Sequence, residues 1–186
     1  MENCEVYSIV RRHLQDFFQG HACKEYQWML VPAREEMPNL RVVEFAPGPR
    51  LNLWVYATVG AWESSTDHCL EFVLVAPKQD QRHVELMTMA AWYHKHEVLG
   101  KEHTFPIGQP WLPGSHCNCF LVSLPYPFGP ELEICNLSDG HLHFFWLLPI
   151  TTEEREFKAR EGQEALEQKF DAAGLKYWNV RRKSVI

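Results

Sequence analysis

Residues 53–76 read LWVYATVGAWESSTDHCLEFVLVA, and the class of fold can be predicted by starting from this stretch. It holds two runs rich in β-branched and aromatic residues, Leu53–Gly60 and Leu70–Ala76, and each run predicts a strand. A third run of this kind, Leu40–Ala46, comes just before them and is closed by Pro47-Gly48-Pro49. Because consecutive strands with short connections usually pair side by side, these runs predict an antiparallel meander.

Helical and extended segments follow one another in groups around the meander. Apolar residues at helical spacing predict two helices, and Thr152 followed by acidic residues predicts the start of a third. The predicted helices are Glu5–Phe18, Gln81–Leu99 and Thr152–Ala173, and the further strands are Cys119–Leu124, Glu131–Cys135 and Leu142–Leu148. This grouping favours the α+β class, with helices packed on a mixed, mainly antiparallel sheet. The length of 186 residues fits one domain, which we expect to span residues 1–186.

The charge and apolar content narrow the class of partner. The formal net charge is −6, whereas a nucleic-acid-binding surface needs clustered basic residues, so we expect no nucleic acid partner. The basic cluster Arg181-Arg182-Lys183 is interpreted as a solubilising tail. The longest apolar run, Phe144–Ile150, is too short to cross a bilayer, and no segment near Met1 resembles a signal peptide. We therefore expect a cytoplasmic protein with no membrane partner and with its six cysteines reduced.

Candidate chemistry is concentrated in one short segment. His116, Cys117 and Cys119 place three soft ligands within four residues, and with a distant histidine they could complete a zinc site. Their spacing is not that of a regular zinc site, so we expect no metal and no cofactor. Two alternatives stay open. One is a hydrolase or transferase in which Cys117 or Cys119 pairs with a histidine, and the other is a metal-dependent regulator.

Other catalytic patterns are weaker. The adjacent pairs Ser115-His116 and Asp67-His68 do not make a triad. Glu131 and Glu133 would share one face of a strand, where a solvated surface is the simpler interpretation. The sequence contains neither a Gly-x-Ser-x-Gly nucleophile elbow nor a phosphate-binding loop. The chain is therefore predicted not to be an enzyme.

Two segments rich in proline frame the strand predicted after residue 118. They are Pro106–Ser115 and Pro125–Pro130, and they carry Trp111, Tyr126 and Phe128. Prolines fix the backbone at low entropic cost, so rigid loops bearing large rings predict a preorganised partner-binding surface. An alternative of equal weight is that these rings fill the ends of the core.

Several segments, taken in order, resemble the Suppressor of fused domain. They are Leu51–Glu63, Leu70–Val75, Met87–Leu99, Gly108–Ser115, Phe120–Leu124, Pro127–Gly129, Leu147–Glu154, Glu161-Gly162, Leu166 and the ending Arg182-x-Ser184-Val185. Together they extend from about residue 40 to the C-terminus, and their order and spacing match the family.

The resemblance implies both a fold and a function. It implies an α/β sandwich and a protein-binding module without enzymatic activity. In animals the domain is the N-terminal half of a larger protein, which sequesters a transcription factor by gripping a short peptide. This chain is more similar to stand-alone bacterial members, several of which resemble immunity proteins of toxin systems. The implied partner is thus another protein, either a basic toxin domain, which the acidic balance would suit, or a short peptide.

Overall fold

The computed structural model describes residues 3–27, 32–64 and 69–186. The helices are α1 Asn3–Phe17, α2 Ala33–Glu36, α3 Gln81–His96, α4 Pro130–Glu133, α5 Thr152–Glu161 and α6 Gln163–Ala173, with a 3-10 helix over Ala61–Ser64. The strands are β1 Cys23–Tyr26, β2 Arg41–Phe45, β3 Trp54–Val59, β4 Leu70–Ala76, β5 Thr104–Pro106, β6 Cys119–Ser123, β7 Ile134–Leu137 and β8 Gly140–Ile150.

The described strands form one sheet in the order β1-β2-β3-β4-β8-β6-β5, with β7 also paired to β8. The predicted antiparallel meander is confirmed as β2-β3-β4. Strands β4 and β8 run parallel, and the other described pairs are antiparallel. The sheet is therefore mixed and mainly antiparallel, which confirms the predicted α+β class.

Strand β8 joins the two halves of the sheet. Trp146 pairs with Val73 of β4 on one edge of β8 and with Ser123 of β6 on the other. His143, earlier in β8, pairs with β4 and β7 in the same way. Strands β6 and β7 therefore follow one another along one edge of β8, and residues 124–133 leave the sheet between them.

Apolar side chains cover both faces of the sheet because successive strand residues point to opposite sides. In β3, Val55 and Ala57 belong to the core that also contains side chains of α1 and α6. Tyr56, between them, belongs to the core formed with α3. Helices thus pack on both faces, as expected for a sandwich. In the described ranges, no helix is both long and apolar enough to cross a membrane.

Two predicted elements differ from the structure. Glu131 and Glu133 lie in the short helix α4, because Gly129 turns the chain with a φ of 68° just before it. The prediction that these two carboxylates share a strand face is therefore wrong. The helix predicted over Thr152–Ala173 is two helices, because Gly162 leaves the helical conformation with a φ of 91° and a ψ of 169°.

A buried carboxylate stabilises the turn after β3. Glu71 is fully buried in β4 and accepts hydrogen bonds from the backbone N–H groups of Gly60, at 2.6 Å, and Ala61, at 3.2 Å. Burial outweighs these hydrogen bonds and raises the pKa of Glu71 to about 7. Gly60 has a φ of 112°, and a Cβ atom there would lie 2.6 Å from the Tyr7 hydroxyl. The turn therefore requires glycine at this position.

The chain after α6 is fixed to the start of α5 by a buried ion pair. The Arg182 guanidinium donates to both carboxylate oxygens of Glu154, at 2.6 and 2.7 Å, and to the Pro149 carbonyl at 2.8 Å. Glu154 also completes a capping box with Thr151 and accepts from the Val185 N–H at 3.1 Å. Arg182 is only 7 % exposed, so its assignment to a solubilising tail is wrong. The Glu154 carboxylate therefore joins the start of α5 to the segment that contains Arg182 and Val185.

Candidate functional site

The structure places Trp111 in the interior. Its ring is 1 % exposed and lies in the core on the α3 face of the sheet. The indole Nε1–H donates to the Ser115 hydroxyl oxygen at 2.8 Å, and the same oxygen accepts from the Cys117 N–H at 3.0 Å. The loop after β5 is therefore ordered around Trp111. This position agrees with the alternative prediction, in which the ring fills the core.

The other two predicted rings differ in exposure. Phe128 is 8 % exposed and packs edge-on against Phe17 and Phe18, on the opposite face of the sheet from Trp111. Tyr126 is 59 % exposed. The structure therefore does not bring the three rings onto one surface. Contact of any of them with a partner stays a prediction, and only Tyr126 presents its ring to solvent.

Tyr126 lines a groove of about 680 Å³ between the sheet and α6. The sheet contributes residues of β6 and β8, and the opposite wall comes from α6 and the chain that follows it. Its lining residues are Leu121, Ser123, Tyr126, Pro127, Trp146, Leu148, Glu167, Phe170, Asp171, Gly174, Leu175 and Tyr177. A concave site of this size, mainly apolar with a few polar groups, is typical of a binding site.

The end of α6 determines the shape of the groove. Gly174 adopts the left-handed conformation at the end of the helix, with a φ of 57°, so the chain turns back toward the sheet. The Leu175 N–H then donates to the Phe170 carbonyl at 3.0 Å. Tyr177 packs edge-on against Trp146, with ring centres 4.9 Å apart. The groove is thus enclosed by a stable turn and a pair of aromatic rings.

Negative charge surrounds the hydroxyl of Tyr126. This hydroxyl donates to the Glu167 carboxylate at 3.3 Å, and Asp171 lies one helical turn further along α6. Partial burial and the charges of Glu167 and Asp171 raise the pKa of Tyr126, and Glu102 contributes in the same direction. The groove therefore combines an apolar floor with an acidic rim.

The segment with candidate chemistry lies elsewhere. Cys117 and Cys119 are 1 % and 2 % exposed, whereas His116 is exposed. Burial raises the pKa of Cys117 to about 11 and raises that of Cys119 as well, which disfavours the nucleophilic thiolate. Over residues 3–27, 32–64 and 69–186, no three His, Cys, Asp or Glu side chains are grouped as metal ligands. The pair Asp67-His68 lies outside the described residues.

The surface predicted from the sequence included Tyr126 and Pro127 and the strand that holds Leu121 and Ser123. It did not include the groove residues of β8, of α6 and of the chain after α6. Trp146 and Leu148 are recognisable as one face of a strand, and Glu167 and Phe170 as part of a helix. That this strand face and this helix enclose a groove depends on the turn at Gly174 and on which strands neighbour β8. No local sequence pattern carries that information.

The chain is similar to proteins of one known family. The family model described as Suppressor of fused protein (SUFU) matches residues 36–183. A crystal structure of a SUFU homologue from Neisseria gonorrhoeae is 35 % identical, with a TM-score of 0.87 and 98 % of each chain covered. Among curated proteins, none matches the chain.

Two more distant structures share the fold. A crystal structure of the Sufu-Fu complex gives a TM-score of 0.71 at 13 % identity, covering 97 % of this chain and 91 % of that one. Drosophila Suppressor of Fused gives a TM-score of 0.61, also at 13 % identity, covering 95 % of this chain. This chain spans 50 % of the Drosophila chain.

Proposed function

The chain belongs to the Suppressor of fused family, and from this premise we propose that it is a protein-binding module that holds its partner in the groove beside Tyr126. We also propose that residues 1–186 form one domain, which acts in the cytoplasm and has no enzymatic activity. A protein partner is supported by the structural likeness to a chain in the crystal structure of the Sufu-Fu complex.

The observation that carries the proposal is an exposed aromatic ring at the rim of an apolar groove. Tyrosine and tryptophan dominate the binding energy of many protein interfaces, because they bury large area and lose little conformational entropy. Tyr126 is 59 % exposed, while Trp146 of β8 and Phe170 of α6 give the groove beside it two apolar walls. A partner that covers Tyr126 and fills the groove would bury both the tyrosine ring and the apolar surface of the groove.

The charge of the rim indicates the kind of partner. Glu167 and Asp171 are negative, and the chain as a whole has a formal net charge of −6. A basic partner would be attracted by both the local and the overall field. We therefore propose a basic protein domain or a basic short peptide as the occupant. A toxin domain with a basic surface would make this chain an immunity protein.

The experiment compares two matched double variants in pull-downs analysed by mass spectrometry. Y126S/E167Q removes the exposed ring and one rim charge, and I134S/E131Q makes the same kind of change at exposed positions outside the groove. We expect the captured partner to bind the groove variant at least about tenfold more weakly and the control variant normally. Equal binding by both variants would refute the groove as the binding surface.

The immunity proposal needs a separate readout. When the captured protein is expressed alone, it should stop growth, and co-expression of the wild-type chain should restore growth. Y126S/E167Q should fail to restore it at the same expression level. A captured partner that is harmless when expressed alone would refute the immunity role and leave the protein-binding role standing.

A further inference from the structure

A second cavity lies at the opposite edge of the sheet, where β1 and β2 meet the start of α3. It has a volume of about 440 Å³. Its lining residues are Tyr26, Gln27, Glu44, Gln79, Asp80, Gln81 and Val84. All of these side chains except that of Val84 are polar, so this pocket has a different chemistry from the groove beside Tyr126.

The floor of this pocket contains a buried carboxylate without a charged partner among the described residues. Glu44 is 4 % exposed, and its Oε1 accepts hydrogen bonds from the Tyr26 hydroxyl, at 3.3 Å, and from the Gln79 amide, at 2.8 Å. Both donors are neutral. Asp80 differs, because it forms an ion pair with Lys78 at 2.9 Å. A buried carboxylate is costly unless an opposite charge balances it, so Glu44 leaves room for a cation.

Among the described residues, the hydrogen bonds around the pocket leave oxygen acceptors unused. The amide nitrogen of Gln79 donates to Glu44, and that of Gln27 donates to the Pro38 carbonyl at 2.8 Å. The amide oxygens of these two glutamines therefore remain as acceptors. Together with the second carboxylate oxygen of Glu44, these three lining residues provide three oxygen acceptors. A primary ammonium group has one positive charge and three N–H donors, which matches this set.

Lys24, on the strand next to Glu44, is not among the residues that line the pocket. Lys24 is paired with Glu44 in the register of β1 and β2, yet its ammonium lies over the Tyr26 ring, 4.6 Å from the ring centre. It forms no described ion pair with Glu44 and is solvent-exposed. The Tyr26 ring, which lines the pocket, thus contacts the Lys24 ammonium, while the Glu44 carboxylate has no ion pair with a described residue.

We propose that this pocket binds the ammonium group of a primary alkylamine, with Glu44 as the counter-charge and Gln27 and Gln79 as neutral acceptors. The amine is either a free small molecule or the lysine side chain of another protein. The site is independent of the groove beside Tyr126, so its failure or success leaves the proposed function unchanged.

The test is a titration of the ¹⁵N-labelled protein at pH 7.5, followed by chemical shifts in two-dimensional NMR spectra. The probes are n-butylammonium, the neutral 1-butanol, and tetramethylammonium, which is charged but has no N–H donors. We expect saturable shifts with n-butylammonium at the side-chain amides of Gln27 and Gln79 and near Glu44. Both other probes should bind at least about tenfold more weakly, since each lacks either the charge or the donors. Equal shifts with all three probes would overturn the proposal without need of a variant.

Variants then identify the counter-charge. Glu44→Gln should weaken binding of n-butylammonium at least about tenfold, because a charge-assisted hydrogen bond becomes a neutral one. Glu131→Gln, the same change at an exposed site outside the pocket, should leave binding unchanged. Lys24→Ala should change affinity less than about threefold. A tenfold tightening there would overturn the proposal, since the chain's own ammonium would then be the pocket's occupant.

A fourth probe separates the two sources of amine. Nα-acetyl-lysine N-methylamide carries the ammonium on a lysine side chain within a peptide-like unit. Binding as strong as that of n-butylammonium supports a lysine of a partner protein as the natural occupant. Binding of n-butylammonium alone supports a free amine. If neither n-butylammonium nor the lysine derivative binds, the proposed site is wrong.

Discussion

The buried ion pair between Arg182 and Glu154 gives the sharpest prediction for stability. Arg182→Met would remove two charge-assisted hydrogen bonds to Glu154 and one bond to the Pro149 carbonyl, and would leave a fully buried carboxylate behind. Breaking a buried pair by removing one partner costs about 3–5 kcal/mol. Glu154 keeps the Thr151 and Val185 N–H donors, which place the expected loss at the lower end, about 3 kcal/mol.

The assay is urea unfolding at 25 °C and pH 7, with the free energy of unfolding obtained by linear extrapolation. Arg11→Met is the matched control, because the Arg11–Glu25 pair is equally short, at 2.8 Å, but its side chains are 41 % and 38 % exposed. An exposed pair contributes at most about 1 kcal/mol. The Arg182 variant should therefore lose at least about three times as much stability as the control.

A second substitution tests the cause of the loss. Glu154→Gln in the Arg182→Met background removes the uncompensated charge, and glutamine still completes the capping box with Thr151. The double variant should recover at least about 1.5 kcal/mol of the lost stability. A loss below about 1 kcal/mol for Arg182→Met, or a double variant less stable than the single one, would refute this account of the ion pair.

Three further outcomes follow from other buried groups. Burial raises the pKa of Glu71 from 4.5 to about 7, so the folded state binds a proton more tightly than the unfolded chain. The free energy of unfolding should therefore fall by about 3 kcal/mol as pH rises from below 4.5 through 7. Glu71→Gln should remove this part of the pH dependence of the melting temperature, and an unchanged pH profile would contradict the prediction. Gly60→Ala should cost about 2 kcal/mol or more in chemical denaturation, because of the positive φ and the contact with Tyr7, while Gly100→Ala, with no atom within 4 Å, should cost far less. Cys117 should react with iodoacetamide at pH 7.5 at least about 100-fold more slowly in the folded protein than in urea, because burial raises the pKa of this thiol to about 11. Fast alkylation in the folded protein would instead support an enzyme that uses Cys117 as a nucleophile.

Much of the fold could be predicted because burial repeats along the chain. Runs rich in β-branched and aromatic residues correctly predicted β2, β3 and β4, and helical spacing correctly predicted α1 and α3. Strand β1 escaped prediction because it is a short edge strand of exposed, mostly polar residues, without an apolar period. Glu131 and Glu133 were misplaced because β-strand and helical-turn patterns are ambiguous over five residues.

The features that could not be predicted from the sequence depend on which residues become neighbours in the folded chain. Arg182 looks like any surface arginine until Glu154, far away in sequence, is seen to be buried beside it. Trp111 and Tyr126 occur in loops that each contain three prolines, yet one ring is 1 % exposed and the other 59 %. Exposure of a loop aromatic is set by what packs over it, and local composition does not record that.

Strand β8 also has a consequence for how fast the protein folds. The β2-β3-β4 meander and the β7–β8 hairpin close short loops, whereas the β4–β8 pair joins Leu70 to His143. Closing so long a loop costs entropy before any contact is gained, and non-local pairs slow folding. We therefore expect substitutions in the meander to slow refolding and substitutions in the part of β8 that pairs with β4, such as Phe145→Ala, to act mainly by accelerating unfolding. The joining of the meander to the rest of the sheet would then be the last step.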